Sequence, residues 1–161
     1  MVNLVQMSQS ELDEYLQQAI QTLADELMKA NGWSAEQSLK ASVQSFDVAL
    51  PNRVVDSSDQ CLRTILVGDE KVGVLWYGIR GPEDAFVWDL LIYPAWRNKG
   101  YGTEAMRAME EELRQIGITK ISLNVFAHNA VAARMYSKIG YEPISTKMIK
   151  KISQTSSGSL P

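Results

Sequence analysis

The stretch LLIYPAWRNKGYGTEAM, Leu90 to Met106, carries an apolar run into a helical pattern through a loop holding two cations, an asparagine and two glycines. The run begins at Ala85 (AFVWDLLIY, Ala85–Tyr93), and strict alternation puts Phe86, Trp88, Leu90 and Ile92 on one face and Val87, Leu91 and Tyr93 on the other. A strand apolar on both faces is covered on both sides and belongs in the middle of a sheet. Asp89 is its exception. Downstream, Met106, Met109, Leu113 and Ile116 recur at helical spacing, with Glu104, Arg107, Glu110, Glu111 and Arg114 turned to water. The loop RNKGYGT (Arg97–Thr103) therefore falls at a helix N-terminus, where backbone N–H groups lack partners and the dipole is positive. Glycines let the backbone approach an anion closely, and Arg97 and Lys99 add charge. Strand, loop and helix together predict a phosphate cradle. It is neither a P-loop nor the dinucleotide fingerprint, because the third glycine and the Gly-Lys-Ser/Thr ending are absent.

Outward from this stretch, Gly117 is expected just past the helix end. KISLNVF (Lys120–Phe126) alternates and reads as a strand, parallel to the previous one because a helix connects them. A short helix follows from Asn129 to Gly140, then YEPISTKMIKKI reads as a last strand, and SQTSSGSLP (residues 153–161) as a loose tail with nothing to bury. Upstream, Val2–Gln6 reads as a short strand. Capping boxes at Ser8/Glu11 and Ser34/Gln37 open two helices. The first carries the stripe Leu12, Leu16, Ile20, Leu23, Leu27 and stops at Asn31–Trp33; the second ends before Pro51. CLRTILV and KVGVLWYGI flank GDE as a hairpin, and Arg80–Asp84 turns the chain into the central strand.

With 161 residues and 45% hydrophobic content, the chain suits one domain with a substantial core, residues 1–152, followed by the tail. A net charge of −3 supplies no global basic field for nucleic acid or an anionic membrane. One cysteine, Cys61, and one histidine, His128, argue against a disulfide or a Cys/His zinc site, so metal-free chemistry is expected. The N-terminus lacks the pattern of a signal peptide, and the most apolar stretch is too short and interrupted to span a bilayer. A soluble, cytoplasmic protein is the expectation.

The strand, proline, Arg-x-x-Gly-x-Gly loop and helix resemble those of the GNAT superfamily of N-acetyltransferases. Independently, NAVAARMYSKIGYEP (Asn129–Pro143) resembles that family's later Asn-x-x-Ala-x-x-x-Tyr helix followed by Gly-aromatic. The resemblance covers roughly Lys71 to Ile152; the first 55 residues match coarsely, as the strand and two helices that border the acceptor pocket. It implies a single α/β GNAT-type domain with a mixed central sheet, splayed parallel strands and about four flanking helices. It also implies transfer of acetyl from acetyl-CoA, as co-substrate, to a primary amine of a small molecule or a protein, without metal, and a family habit of homodimer formation.

Carried over by position, Arg97 and the N–H groups of Asn98, Lys99, Gly100, Tyr101, Gly102 and Thr103 would cradle the CoA pyrophosphate. Main-chain groups of Leu90 and Ile92 would pair with the pantetheine arm, and an N–H near Leu90 or Leu91 would hold the thioester carbonyl. Asn129 would contact the pantetheine amides. Tyr136 matches the tyrosine that protonates the departing thiolate, a role open to a phenol that stays protonated at neutral pH. The pattern breaks at the general base: several members place a Glu six residues before the position of Ile92, where this chain has Phe86. Asp89, Glu83, Asp84, His128 or a water chain are the replacements, with Asp89 the most informative because a carboxylate in an apolar strand must find partners or shift its pKa. Trp88 is expected in the core and Trp96 over the loop. A covalent route through Cys61, far in sequence from both motifs, does not fit. Phe86 keeps open an acyl-CoA sensor on the same fold without turnover, and the loop alone keeps open a nucleotide-phosphate module.

Overall fold

A computed structural model describes residues 1–55 and 58–152; the tail lies outside the described residues. Nine main elements follow in chain order: β1 (Asn3–Gln6), α1 (Gln9–Asn31), α2 (Ala35–Ala49), β2 (Gln60–Val67), β3 (Glu70–Ile79), β4 (Asp84–Ile92), α3 (Tyr101–Gln115), β5 (Lys120–Leu123) and α4 (Ala130–Lys138). Both capping boxes form, with Ser8 and Ser34 accepting from the third helical N–H and Glu11 and Gln37 returning the bond. Gly32 and Gly117 take the left-handed conformation past α1 and α3, as helix ends that use glycine require.

The sheet is mixed and ordered β1-β2-β3-β4-β5, antiparallel throughout except for the parallel β4–β5 pair. The helical α3 crossover forces that parallel pairing. Two apolar clusters pack against the sheet. On one face Leu12, Tyr15 and Leu16 of α1 and Phe46 and Ala49 of α2 meet Leu62, Val74 and Trp76. On the other, Ala105, Met106, Met109 and Leu113 of α3 meet Ile65, Val72, Leu75, Tyr77, Ala85 and Val87, and Met135, Tyr136 and Ile139 of α4 pack at the margin.

Three expectations are corrected. The strand after α3 stops at Leu123 rather than running to Phe126. The last strand does not form: Tyr141–Ile152 has no regular structure, and Ile144, Met148 and Ile152 are exposed. An alternating pattern without a partner strand has neither the ladder nor the burial that stabilises it. The third concerns β4. Trp76 pairs with Asp89 but the next residue, Tyr77, pairs with Val87, so Trp88 is an extra, bulged residue. The bulge flips the alternation after Trp88. Leu90 and Ile92 face α3 alongside Ala85 and Val87, while Leu91 and Tyr93 face α1.

Candidate active site

Past Tyr93 the chain makes one 3-10 turn, Pro94–Trp96, closed by Trp96 N–H donating to the Tyr93 carbonyl at 2.9 Å. Asn98 (φ 62°) and Gly100 (φ 85°) then adopt the left-handed conformation and fold the loop onto the start of α3. The first helical bond is Glu104 N–H to the Gly100 carbonyl, 3.0 Å. Side chains cap α1, α2 and α4; none caps α3. Among the described residues, the N–H groups of Asn98, Lys99, Gly100, Tyr101, Gly102 and Thr103 therefore donate to nothing in the chain. Such groups need an acceptor, and an anion is the strongest one available.

The two glycines differ in role. A Cβ on Gly100 would meet no atom within 4 Å, so its side is open space in front of the free N–H groups. A Cβ on Gly102 would lie 3.1 Å from the Met135 sulfur, so Gly102 lets α3 approach α4. The cations are partly committed. Arg97 Nε donates to the Ile92 carbonyl at 2.9 Å, and Lys99 Nζ stands 4.7 Å from the Trp96 ring centre, which is also 6.1 Å from that of Tyr101.

Beside the loop the sheet opens. β4 and β5 pair from Asp84↔Lys120 to Val87↔Leu123 and no further, so the C-terminal half of β4 has no partner strand on the β5 side. Tyr93 N–H donates to the Val72 carbonyl of β3 at 2.9 Å. The two-residue period turns the Leu91 amide toward β3 as well, and the amides of Leu90 and Ile92 into the gap. Leu90 and Ile92, expected to meet the pantetheine arm, thus present main-chain groups to the gap, whereas Leu91, the alternative to Leu90 for the thioester carbonyl, turns its amide to β3.

The bulge also decides where Asp89 goes. It lands on the α1 face, half-buried, where the hydroxyl of Tyr15 on α1 donates to its Oδ2 at 2.7 Å. Burial raises the Asp89 carboxyl above the usual carboxylate range, while the Tyr15 hydroxyl and the Leu90 N–H oppose the rise. Tyr136 packs on the α3 side of the sheet. Burial first, then the charge of Asp89, push its phenol up to about 12.

Phe86 is buried under the Arg80 guanidinium, 3.7 Å from its ring centre, and edge-on to Trp88. Trp88, expected in the core, is 36% exposed because the bulge swings it out beside Trp76. The other candidate bases lie elsewhere. Glu83 and Asp84 sit at the paired end of β4, with Asp84 near Lys120 at 3.6 Å. His128 bonds to Glu26 of α1 and stacks on Phe126. Asn129 caps α4 through its side-chain oxygen, which accepts from the Ala132 N–H at 3.2 Å. Cys61 lies on β2 across from Tyr77, two strands from the gap. Tyr15 is the residue that sequence reasoning missed. Its signal was a hydroxyl-bearing aromatic one turn from Leu12, inside a stripe otherwise read as aliphatic.

Next to Tyr15, on the same face, a cavity of about 270 Å³ is lined by Glu11, Glu14, Tyr15, Lys71, Leu91 and Tyr93 among others. Burial works against ionisation of Glu11. The Lys71 ammonium, 2.5 Å away, and Ser8 more than compensate, and the carboxyl falls to about 2.

The parallel strands β4 and β5 thus part beside a loop whose amides have no acceptor among the described residues. The chain matches the Acetyltransferase (GNAT) family over residues 18–141 and belongs to it. It is 33% identical over 156 residues to the uncharacterized N-acetyltransferase YycN of Bacillus subtilis, a match spanning 94% of this chain and 99% of that protein. The uncharacterized N-acetyltransferase YdgE of the same organism is 28% identical over 153 residues, 92% of this chain and 97% of the relative. The YycN crystal structure superposes with a TM-score of 0.89 at 31% identity, over 96% of this chain and all of that one. The fold is also that of the PaiA N-acetyltransferase of Thermoplasma acidophilum, solved with coenzyme A (TM-score 0.68, 18% identity, 91% and 93% coverage).

Proposed function

We propose that this protein transfers the acetyl group of acetyl-CoA to a primary amine by direct attack. One observation carries the reading: six free N–H groups, Asn98 to Thr103, sit at the mouth of a gap into which Leu90 and Ile92 turn their own amides. The N–H groups take the diphosphate. The pantetheine arm then lies along β4 as an added strand would, once Arg97 Nε releases the Ile92 carbonyl. Asn129 keeps its amide nitrogen for the arm while its oxygen caps α4.

In the reaction the amine nitrogen attacks the thioester carbonyl, and the Leu90 N–H, released from the Asp89 carboxylate, stabilises the oxyanion. The C–S bond then breaks, the thiolate takes a proton from Tyr136, and the amine's proton passes to Asp89 directly or through water. The coupling between the two groups orders these transfers. While Asp89 is charged it holds the Tyr136 proton in place. Once Asp89 has taken the amine's proton that push ends, and Tyr136 becomes the stronger acid when the sulfur needs it. The amine is a small molecule or a protein group arriving on the α1 face, where the cavity opens.

A sensor that binds acyl-CoA without turnover is the second reading, favoured by Phe86 lying buried under Arg80 where several family members carry an acid. Thiol release from acetyl-CoA with a panel of polyamines, amino sugars and free-N-terminus peptides separates the two. Turnover with any of them supports the enzyme; tight CoA binding without turnover across the panel supports the sensor.

A further inference from the structure

We propose that Tyr15 of α1 is a positioning residue for the Asp89 general base, so that the N-terminal helix completes the active site. The inference rests on the acetyltransferase reading above. Three features of the structure carry it. Tyr15 is 6% exposed and its ring is wedged in the α1 cluster, so its hydroxyl has little freedom once the helix is docked. That hydroxyl spends its one donated hydrogen bond, 2.7 Å long, on Asp89 Oδ2. And the carboxylate is there to receive it only because the bulge at Trp88 carries Asp89 onto the α1 face.

A carboxylate on a two-bond side chain has several rotamers, and a base must hold one of them against the incoming amine. Locking one oxygen onto a rigid phenol does this while the remaining lone pairs stay available. The charged and titratable groups around the pair are few. Tyr136 faces Asp89 from α4, Tyr93 faces Tyr15 from just past β4, and Glu11, Glu14 and Lys71 flank Tyr93 at the cavity. The Tyr15 phenol is held well above its ordinary value by burial and by Asp89, so it remains a donor throughout the working range. Its bond lowers the Asp89 carboxyl, and removing it leaves that group more basic and less well aimed.

The test is kinetic, on the full chain, with an acceptor from the amine panel that supports thiol release. Tyr15→Phe keeps the ring and its packing. It should lower kcat about tenfold, the scale of one lost bond to a charged group. KM for acetyl-CoA should be unchanged, and the acidic limb of the pH–rate profile should move to higher pH. Asp89→Asn, run in parallel, should abolish that limb. If Asp89→Asn loses the limb but Tyr15→Phe leaves limb and kcat in place, Tyr15 merely packs and this inference fails alone. If Asp89→Asn retains wild-type kinetics, or no amine in the panel is turned over, the underlying reading fails and this one with it.

Discussion

Gly100→Glu puts a side chain into the open space before the six free N–H groups, and its effect can be worked from the structure. The residue sits at φ 85°, where any side chain costs about 1–2 kcal/mol in the left-handed conformation. That strain falls on an exposed loop and lowers stability modestly. The larger effect is on the ligand. The new carboxylate meets the N–H groups first, and each hydrogen bond to a charged group is worth about 1.5–3 kcal/mol. Losing two of them to an internal competitor costs about 3–6 kcal/mol, which is about 10²–10⁴-fold in CoA affinity. Isothermal titration with CoA reads this, with free pantetheine as control, since it lacks the diphosphate and should be spared. Gly100→Ala isolates the backbone strain, and Gly102→Ala, which would crowd the Met135 sulfur, isolates loop packing. An unchanged CoA affinity in Gly100→Glu, with the fold intact, refutes the cradle.

Tyr136→Phe should lower kcat by about 10–10³-fold while sparing CoA affinity, a split visible in steady-state kinetics beside titration; equal kcat removes the phenol from proton transfer. Asp89→Asn carries a stability prediction as well as the kinetic one. Because the folded carboxyl is raised, the native state holds its proton to a higher pH than the unfolded chain. The associated stability is present below the ordinary carboxylate range and lost as pH climbs through the raised value. At neutral pH the wild type bears the cost of an ionised, desolvated group. Asparagine escapes that cost and still accepts from Tyr15, so the variant should melt at or above the wild type at pH 7 and converge with it near pH 3. A variant that melts well below the wild type at pH 7 would mean that the ionised carboxylate stabilises the fold.

What the sequence revealed depended on how local the determining physics was. The capping boxes at Ser8 and Ser34, the glycine stops at Gly32 and Gly117 and the stripe of α3 are each decided within a few residues, and each forms. The loop proposed as a cradle was legible for the same reason: a left-handed Gly100 next to an uncapped helix is a local object. Partnership across the chain was not legible. Tyr141–Ile152 has the alternation of a strand but no neighbour to pair with. The faces of β4 were misassigned because a bulge is set by the register with β3, which a single strand's pattern does not contain.

That bulge also sets the place of the carboxylate in a strand that has Phe86 where several family members carry an acid. Without it, strict alternation from Phe86 would have left Asp89 on the α3 face, with the apolar cluster of Met106 and Met109 and away from Tyr15, where a buried charge is costly. With one residue inserted, Asp89 shares the α1 face with Phe86 and accepts the Tyr15 hydroxyl. The same insertion sets Leu90 and Ile92 on the α3 side while their amides look into the gap. Bulging Trp88 out of the ladder thus decides on which side of the sheet Asp89 stands in this sequence. Deleting Trp88 removes the bulge but places Asp89 directly after Val87, still on the α1 face beside Tyr15, so the acidic limb should survive that deletion, and its loss would refute this account of the face.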